Sequence, residues 1–282
     1  MKKAKPIEVK SERCKTLYPI LMVHGIGYRD NWRPKYWGRI PRVLAENGVE
    51  NIFYGSTEAW GTVKHNAEML AKRIEEILAE TGAEKVNIIT HSKGGLDARC
   101  AVSSFNLGGK VASLSTVSTP HHGSKFIDFY CVFPRFLRKF IAFFPNLWFR
   151  IFGDKKPDFY KVTQELTTKY SKQFNEENPD AEDVYYQSFG SVMEHFYSDF
   201  FLMLPYLVVK IFDGENDGVV SSASAEWTNY RLIAAAGPRG ISHAAGVDMR
   251  RRRLSKKKVE GKYSDITDFY IELVEGLKNK GF

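Results

Sequence analysis

The sequence predicts an α/β fold, a mainly parallel sheet flanked by helices and interrupted by a helical cap. Three observations predict it. Short, near-continuously apolar runs such as Tyr18–Val23, Val86–Ile89 and Val111–Val117 have the composition of strands buried on both faces. Stretches with helical spacing alternate with them, and that alternation means parallel strands joined by right-handed crossovers. Two of the strands run straight into glycine-bearing turns, His24-Gly25-Ile26-Gly27 and Ser92-Lys93-Gly94-Gly95. Those turns fall at carboxyl ends of strands, where sheets of this kind hold their sites.

In chain order, Tyr18–Val23 is the first strand and Tyr28–Trp37 an aromatic and basic loop. Ile40–Asn47 reads as a short helix stopped by Gly48, and Val49–Tyr54 as the second strand. Thr62–Thr81 carries Ala67, Leu70, Ala71, Ile74, Ile77 and Leu78 on one helical face before Gly82. The strand at Val86–Ile89 then leads through Ser92 into a helix spaced by Leu96, Ala98, Ala101 and Val102, and the next strand, Val111–Val117, ends at Ser118-Thr-Pro-His-His-Gly-Ser124. There the alternation breaks. The 282 residues are read as one domain, 1–282, with 125–205 inserted as a helical cap or lid. Phe133, Phe136, Leu137, Phe140, Ile141 and Phe144 share a helical face, with Pro134 in the first turn and Pro145 as its stop. Arg135, Arg138 and Lys139 lie opposite, and Trp148 follows. Such a helix can dock on the core or lie in a lipid interface, and a mobile lid would do both. Val162–Phe174 is expected to be partly helical, and Phe196–Leu204 is a second apolar stretch of the cap. The sheet is expected to resume at Tyr206–Phe212, with a last strand at Tyr230–Ala234 and a closing helix at Ile266–Leu277.

Composition narrows the partners. Forty-one Lys and Arg against 33 Asp and Glu leave a net charge of +8, and seven of the basic residues lie in one run, Arg250–Lys258. The basicity is therefore local. The run reads first as a solvated loop and second as a contact for an anionic membrane surface; no aromatics interleave it, so no nucleic-acid partner is expected. Cys14, Cys100 and Cys131 are far apart, with neither the spacing of a zinc site nor that of a disulfide framework, as fits reduced thiols. The basic start Met1-Lys-Lys-Ala-Lys-Pro6 is not followed by a signal-peptide core, so the expected location is cytoplasmic, with membrane association through the cap as an option.

Ser92 carries the chemistry. A serine on a sharp strand-to-helix turn presents its hydroxyl above the sheet, with the helix N-terminus behind it. The five residues Thr90-His91-Ser92-Lys93-Gly94 have a threonine where the usual elbow has its first glycine, so the packing must make room for Thr90. A serine needs a base, and there are seven histidines. His91 adjoins the serine, His24 belongs to the glycine turn, His65 lies on a helix and His195 in the cap, while His121 and His122 precede the candidate acids. The chain order serine, acid, histidine is met by Ser92, Asp217 and His243. Asp213 is the second candidate acid. The oxyanion donors would be the backbone N–H groups of Lys93 and Ile26.

His24-Gly-Ile-Gly, Tyr36-Trp-Gly, Ile89-Thr-His-Ser-Lys-Gly-Gly-Leu-Asp-Ala-Arg99, Ser118–Ser124, Asn216-Asp-Gly-Val-Val220 and Ile241-Ser-His243 together resemble the bacterial triacylglycerol lipases of the α/β-hydrolase superfamily. The likeness is dense from Tyr18 to Ser124 and patchy from Tyr206 to Asp248. It implies an α/β-hydrolase fold, the triad Ser92, Asp217 and His243, an oxyanion hole at Ile26 and Lys93, a mobile lid and fatty acyl ester substrates. The helix over Phe133–Phe144 is then expected to cover the site, with Phe133, Phe136, Phe140 and Trp148 as lid or substrate contacts. No cofactor is implied. Related lipases carry a structural calcium whose ligands include an acid two residues after the histidine; here that position is Ala245, so no metal is expected. Two other uses of the scaffold stay open: a thioesterase, acyltransferase or phospholipase on the same triad, and a non-catalytic, membrane-docking relative.

Overall fold

The computed structural model describes residues 7–33 and 35–282; the basic start at residues 1–6 lies outside them. Among the described residues six strands form one wholly parallel sheet in the order β2-β1-β3-β4-β5-β6. They are β1 (Ile20–Val23), β2 (Ile52–Tyr54), β3 (Val86–His91), β4 (Val111–Val117), β5 (Tyr185–Gly190) and β6 (Arg231–Leu232). Every residue of β1, β3 and β4 is buried, because their successive side chains enter two different cores. Ile20 and Met22 of β1 pack with α1 (Ile40–Glu46) and α10 (Ile266–Asn279), whereas Leu21 and Val23 pack with α2 (Val63–Thr81) and α3 (Gly94–Ser104). The molecule is thus a three-layer α/β/α sandwich. The chain runs outward from β1 to β2 and then returns to β3 on the other side of β1, so the order reverses between β1 and β3. A crevice opens at such a reversal beyond the carboxyl ends of the strands, and it is here that His24 and Ser92 emerge.

Helix boundaries follow from local chemistry. The Thr62 hydroxyl accepts from the His65 N–H to cap α2, and Gly82 ends it at φ 70°, a left-handed turn that glycine adopts without strain. The insertion after β4 holds α4 (Lys125–Val132), α5 (Arg135–Ile151), α6 (Phe159–Gln164) and α7 (Thr168–Glu177). A second insertion follows β5, with short 3₁₀ turns at Phe196–Ser198 and Phe200–Leu202 and then α8 (Met203–Asp213). The four-residue α9 (Ser222–Ala225) precedes β6.

Four expectations are corrected. Tyr206–Phe212 is not a strand: it lies in α8, where Tyr206 and Val209 are buried three residues apart while Leu207, Lys210 and Ile211 are exposed. Its run of apolar and β-branched residues fits either structure, and the surrounding packing chose the helix. The strand instead is β5, inside the range 125–205, so the cap is two insertions separated by a sheet strand. Buried Gln187 and Ser188 gave β5 a polar appearance; Gln187 Nε2 donates to Ser115 Oγ at 2.8 Å across the sheet. Pro145 does not end the aromatic helix, since α5 continues through it to Ile151. The last strand shrinks to Arg231–Leu232, whereas Val162–Phe174 is partly helical as expected, in α6 and α7.

Candidate active site

Ser92 stands at φ 55°, in the left-handed region that non-glycine residues seldom occupy. Three bonds hold it there: its N–H donates to the Val117 carbonyl at 2.9 Å, and its own carbonyl accepts from Thr119 Oγ1 at 2.8 Å and from the Gly95 N–H at 3.0 Å. The glycines around it are required by close approach. A Cβ on Gly94 would strike the His24 carbonyl oxygen, and one on Gly95 the Thr119 side chain. Thr90 is tolerated because it points into the sheet, fully buried, and donates its hydroxyl to the Ser115 carbonyl at 3.3 Å.

Asp217 and His243, expected as acid and base, lie in contact. His243 Nδ1 donates to Asp217 Oδ2 at 2.8 Å, and the His243 N–H donates to the Asp217 carbonyl at 2.8 Å. A carboxylate only accepts, so the ring proton sits on Nδ1 and Nε2 is left as the basic nitrogen. The other carboxylate oxygen of Asp217 accepts from the N–H groups of Val219 at 3.0 Å and Val220 at 2.9 Å, which fixes its orientation. Asp217 is fully buried on a tight turn after α8, not after a strand as the sequence reading had it. Asp213, the second candidate acid, is employed elsewhere: it accepts from Ser124 Oγ and from the N–H groups of Lys125 and Phe126, capping α4. Ser92 and His243 line the same cavity, together with Ile26 and Lys93. Among the described residues no hydrogen bond yet joins Ser92 Oγ to His243, and the N–H groups of Ile26 and Lys93 have no protein acceptor. Both donors are therefore unspent.

Beneath these groups runs a buried relay with no signal in motif spacing. Gly25 N–H donates to Tyr36 Oη at 3.0 Å, and Tyr36 in turn donates to His91 Nδ1 at 2.6 Å. The His91 ring lies 4.2 Å from that of His243, centroid to centroid. Burial, reinforced by the neighbouring His243, pushes the His91 pKa well below the ordinary histidine range, so His91 stays neutral. Burial likewise raises Tyr36 and keeps it a phenol. The Lys93 side chain is buried against Asp97 at 2.5 Å, and Asn66 Nδ2 donates to the other Asp97 oxygen at 2.9 Å.

The cavity encloses about 530 Å³ and its wall is mostly apolar, formed by Trp60, Phe126 and Ile127 of α4, and Leu204, Val208 and Val209 of α8. The predicted lid contacts do not line it. Phe133, Phe136, Phe140 and Trp148 are 44%, 76%, 63% and 59% exposed. Phe133 falls in the joint between α4 and α5, and the apolar stripe of α5 faces outward, because only Ala142 of that helix is buried. Neither wall is legible in the sequence: Tyr206–Phe212 reads as a strand, and no element is expected over Lys125–Val132. His121 is a structural residue, fully buried and accepting from Arg99 at 3.2 Å, and His122 is exposed and bonded to the Glu226 carbonyl.

The residues present do not fit the calcium of related lipases. Ala245 offers no ligand, and the Asp199 carboxylate is occupied by Arg250, at 2.7 and 2.9 Å, and by Ser242 Oγ at 2.9 Å. Burial alone would raise Asp199, but the Arg250 and Ser242 hydrogen bonds outweigh it and hold the carboxyl below its usual range. A guanidinium thus ties the loop bearing His243 to the second insertion. Among the described residues no cluster of three or more His, Cys, Asp or Glu could hold a metal.

The chain is similar to known lipases and esterases. Triacylglycerol lipase 2 of Saccharomyces cerevisiae is 26% identical over 262 residues, covering 88% of this chain and 74% of the yeast protein. A triacylglycerol lipase of Pseudarthrobacter phenanthrenivorans is 36% identical over 120 residues, 40% of this chain and 36% of its own length. The chain thus spans about a third of that bacterial relative. Among solved structures, the metagenomic carboxyl esterase MGS0156 superposes with a TM-score of 0.67 at 16% identity, covering 99% of this chain and 80% of that one. The mature Bacillus licheniformis lipase BlEst2 gives 0.58 at 22% identity over 85% and 89% of the two chains. The family model of the alpha/beta hydrolase fold matches residues 18–228. With a serine elbow, an acid-held histidine and a six-stranded parallel sheet in place, the chain belongs to the α/β-hydrolase family.

Proposed function

We propose that this protein is a serine carboxylic ester hydrolase of the lipase and esterase type, cleaving fatty acyl esters through an acyl-enzyme. One observation carries the proposal: the His243–Asp217 pair and the Ser92 elbow open onto one apolar cavity whose two spare backbone donors belong to Ile26 and Lys93. His243 Nε2 takes the Ser92 proton as Oγ attacks the ester carbonyl, and Asp217 stabilises the imidazolium that results. The carbonyl oxygen, now negative, is received by the Ile26 and Lys93 N–H groups. His243 then returns its proton to the leaving alkoxide. Water deacylates Ser92 by the same steps in reverse order. The apolar wall from α4 and α8 accommodates the acyl chain, since burying each methylene contributes about 0.8 kcal/mol.

The finer reading concerns the lipid surface. The exposed aromatic stripe of α5, with Arg135, Lys139 and Arg150 exposed around it, suits contact with the surface of aggregated substrate rather than closure over the cavity. No helix among the described residues is long and apolar enough to cross a membrane. A fluorophosphonate probe followed by peptide mapping tests the triad: an adduct on Ser92, abolished in His243→Ala, is expected. Labelling elsewhere, or none, would remove the assignment. A panel of oxygen esters and thioesters of increasing acyl length then identifies the preferred substrate.

A further inference from the structure

A second cleft, of about 220 Å³, shares no lining residue with the catalytic cavity, although two of its residues, Ser242 and Ala245, flank His243. Three guanidinium side chains line it, those of Arg239, Arg252 and Arg253, with the hydroxyls of Ser198 and Ser242 beside them. Their positive charge is not neutralised locally. Among the described residues neither Arg239 nor Arg252 is paired with a carboxylate, and Arg253 reaches Asp265 only at 3.8 Å. Asp265 itself is already held twice by Arg39, at 2.9 Å each, and Asp199 is taken by Arg250. From Pro238 to Lys258 the chain carries eight basic residues and one acid, Asp248, which is itself bound by Arg39. Two arginines without a carboxylate partner, a third held only at 3.8 Å and the Ser198 hydroxyl around one concave site match a phosphate group, whose oxygens accept several charge-assisted bonds at once.

What surrounds the cleft indicates where the phosphate comes from. Ser198 lies between Phe196 and Tyr197 on one side and Phe200 and Phe201 on the other, and the last two are 79% and 73% exposed. The Arg250 guanidinium sits 4.9 Å from the Phe201 ring. Exposed aromatics that neighbour in the chain a residue lining a basic cleft fit a membrane contact, with the rings entering the headgroup layer and the arginines gripping a headgroup. A site for a free anion has no use for such neighbouring aromatics. We propose that the cleft of Arg239, Arg252 and Arg253 binds the phosphate of an anionic phospholipid, docking the protein on negatively charged membranes beside its catalytic cavity.

The test needs no catalysis, so its failure is separable from failure of the ester-hydrolase reading. Binding of the full chain to vesicles of ether-linked phosphatidylcholine, with and without ether-linked phosphatidylglycerol, is measured by co-sedimentation. The wild-type chain is expected to prefer the anionic vesicles, and Arg239→Gln with Arg252→Gln to bind them about thirtyfold more weakly, near fivefold for each charge removed. Lys256→Gln with Lys257→Gln removes the same charge outside the cleft and is expected to cost far less. Equal losses in the two double variants would reduce the attraction to diffuse charge and overturn the site, as would unchanged binding in the first. Inorganic phosphate, at matched ionic strength, should displace the wild-type chain from vesicles more effectively than chloride. Phosphate binding that depends on Arg239 and Arg252 without any vesicle preference would mean a free-anion site and sink the proposal. Hydrolysis of a soluble short ester and the thermal midpoint verify that the variants are folded.

Discussion

Tyr36 joins two parts of the site that lie far apart in sequence, the oxyanion turn and the floor under His243. Its oxygen accepts from Gly25 and donates to His91, so the phenylalanine variant keeps the ring and removes both bonds. Leaving a buried N–H without an acceptor costs roughly 1–3 kcal/mol. Tyr36→Phe is therefore expected to lower kcat about ten- to hundredfold with little change in KM, because the turn carrying Ile26 is loosened while the acyl pocket is untouched. Steady-state kinetics on a soluble ester check this, and an equal rise in KM would contradict it. For the acid, Asp217→Asn should drop kcat on the order of 10⁴-fold, since the amide can donate to Nδ1 and select the wrong tautomer. Pre-steady-state acylation rates would show whether the loss falls on the chemical step.

At the scale of elements, the loop carrying His243 is fixed to the second insertion by an ion pair. Arg250 holds Asp199 through two bonds, and Asp199 also receives Ser242 next to His243. Arg250→Met leaves a buried carboxylate with only the Ser242 hydroxyl and the Phe201 N–H and no cation, and is expected to destabilise the protein by about 3 kcal/mol, read as a fall in the urea midpoint. Activity should fall with it. Treatment with EDTA should leave both stability and activity unchanged, in contrast to an enzyme whose loop is fixed by calcium. Helix α5 has a different role. Phe136→Glu with Phe140→Glu is expected to preserve hydrolysis of soluble short esters and to lower activity on emulsified long esters at least tenfold, because both side chains face solvent and neither lines the cavity. Equal losses on both substrates would return α5 to the role of a lid over the site.

For the whole molecule, stability should depend on pH through Glu165. This carboxyl lies in the layer of α2 and α3, accepts from the Val63 N–H at 2.8 Å at the start of α2, and is raised by burial to about 7 from its ordinary 4.5. Between those two values the native protein holds a proton that the unfolded chain has released. Stability therefore falls as pH rises from 4.5 to 7 and levels off above, by at most roughly 3 kcal/mol for this group. Glu165→Gln keeps an acceptor for Val63 and should flatten that slope. Urea midpoints measured across the interval decide it, and a slope unchanged in the variant would assign the effect to another group.

Much of this protein was determined locally and could be read from the chain. The parallel sheet, the Ser92 elbow, the glycine turn at His24 and the order of Ser92, Asp217 and His243 all follow from residues adjacent in sequence or from chain order. For the strands and turns the physical cause is short-ranged, burial pattern and turn sterics; for the three site residues the chain shows only their order. The tertiary structure alone decided the rest. Whether Tyr206–Phe212 pairs as a strand or packs as α8 depended on which neighbours were there to bury it, and Gln187 could enter a sheet only because Ser115 received its amide. The outward face of α5, the relay through Tyr36 and His91, and the convergence of Arg239 with Arg252 and Arg253 are contacts between distant segments. Local spacing carries no information about those, because the energy that fixes them arises only when the layers close.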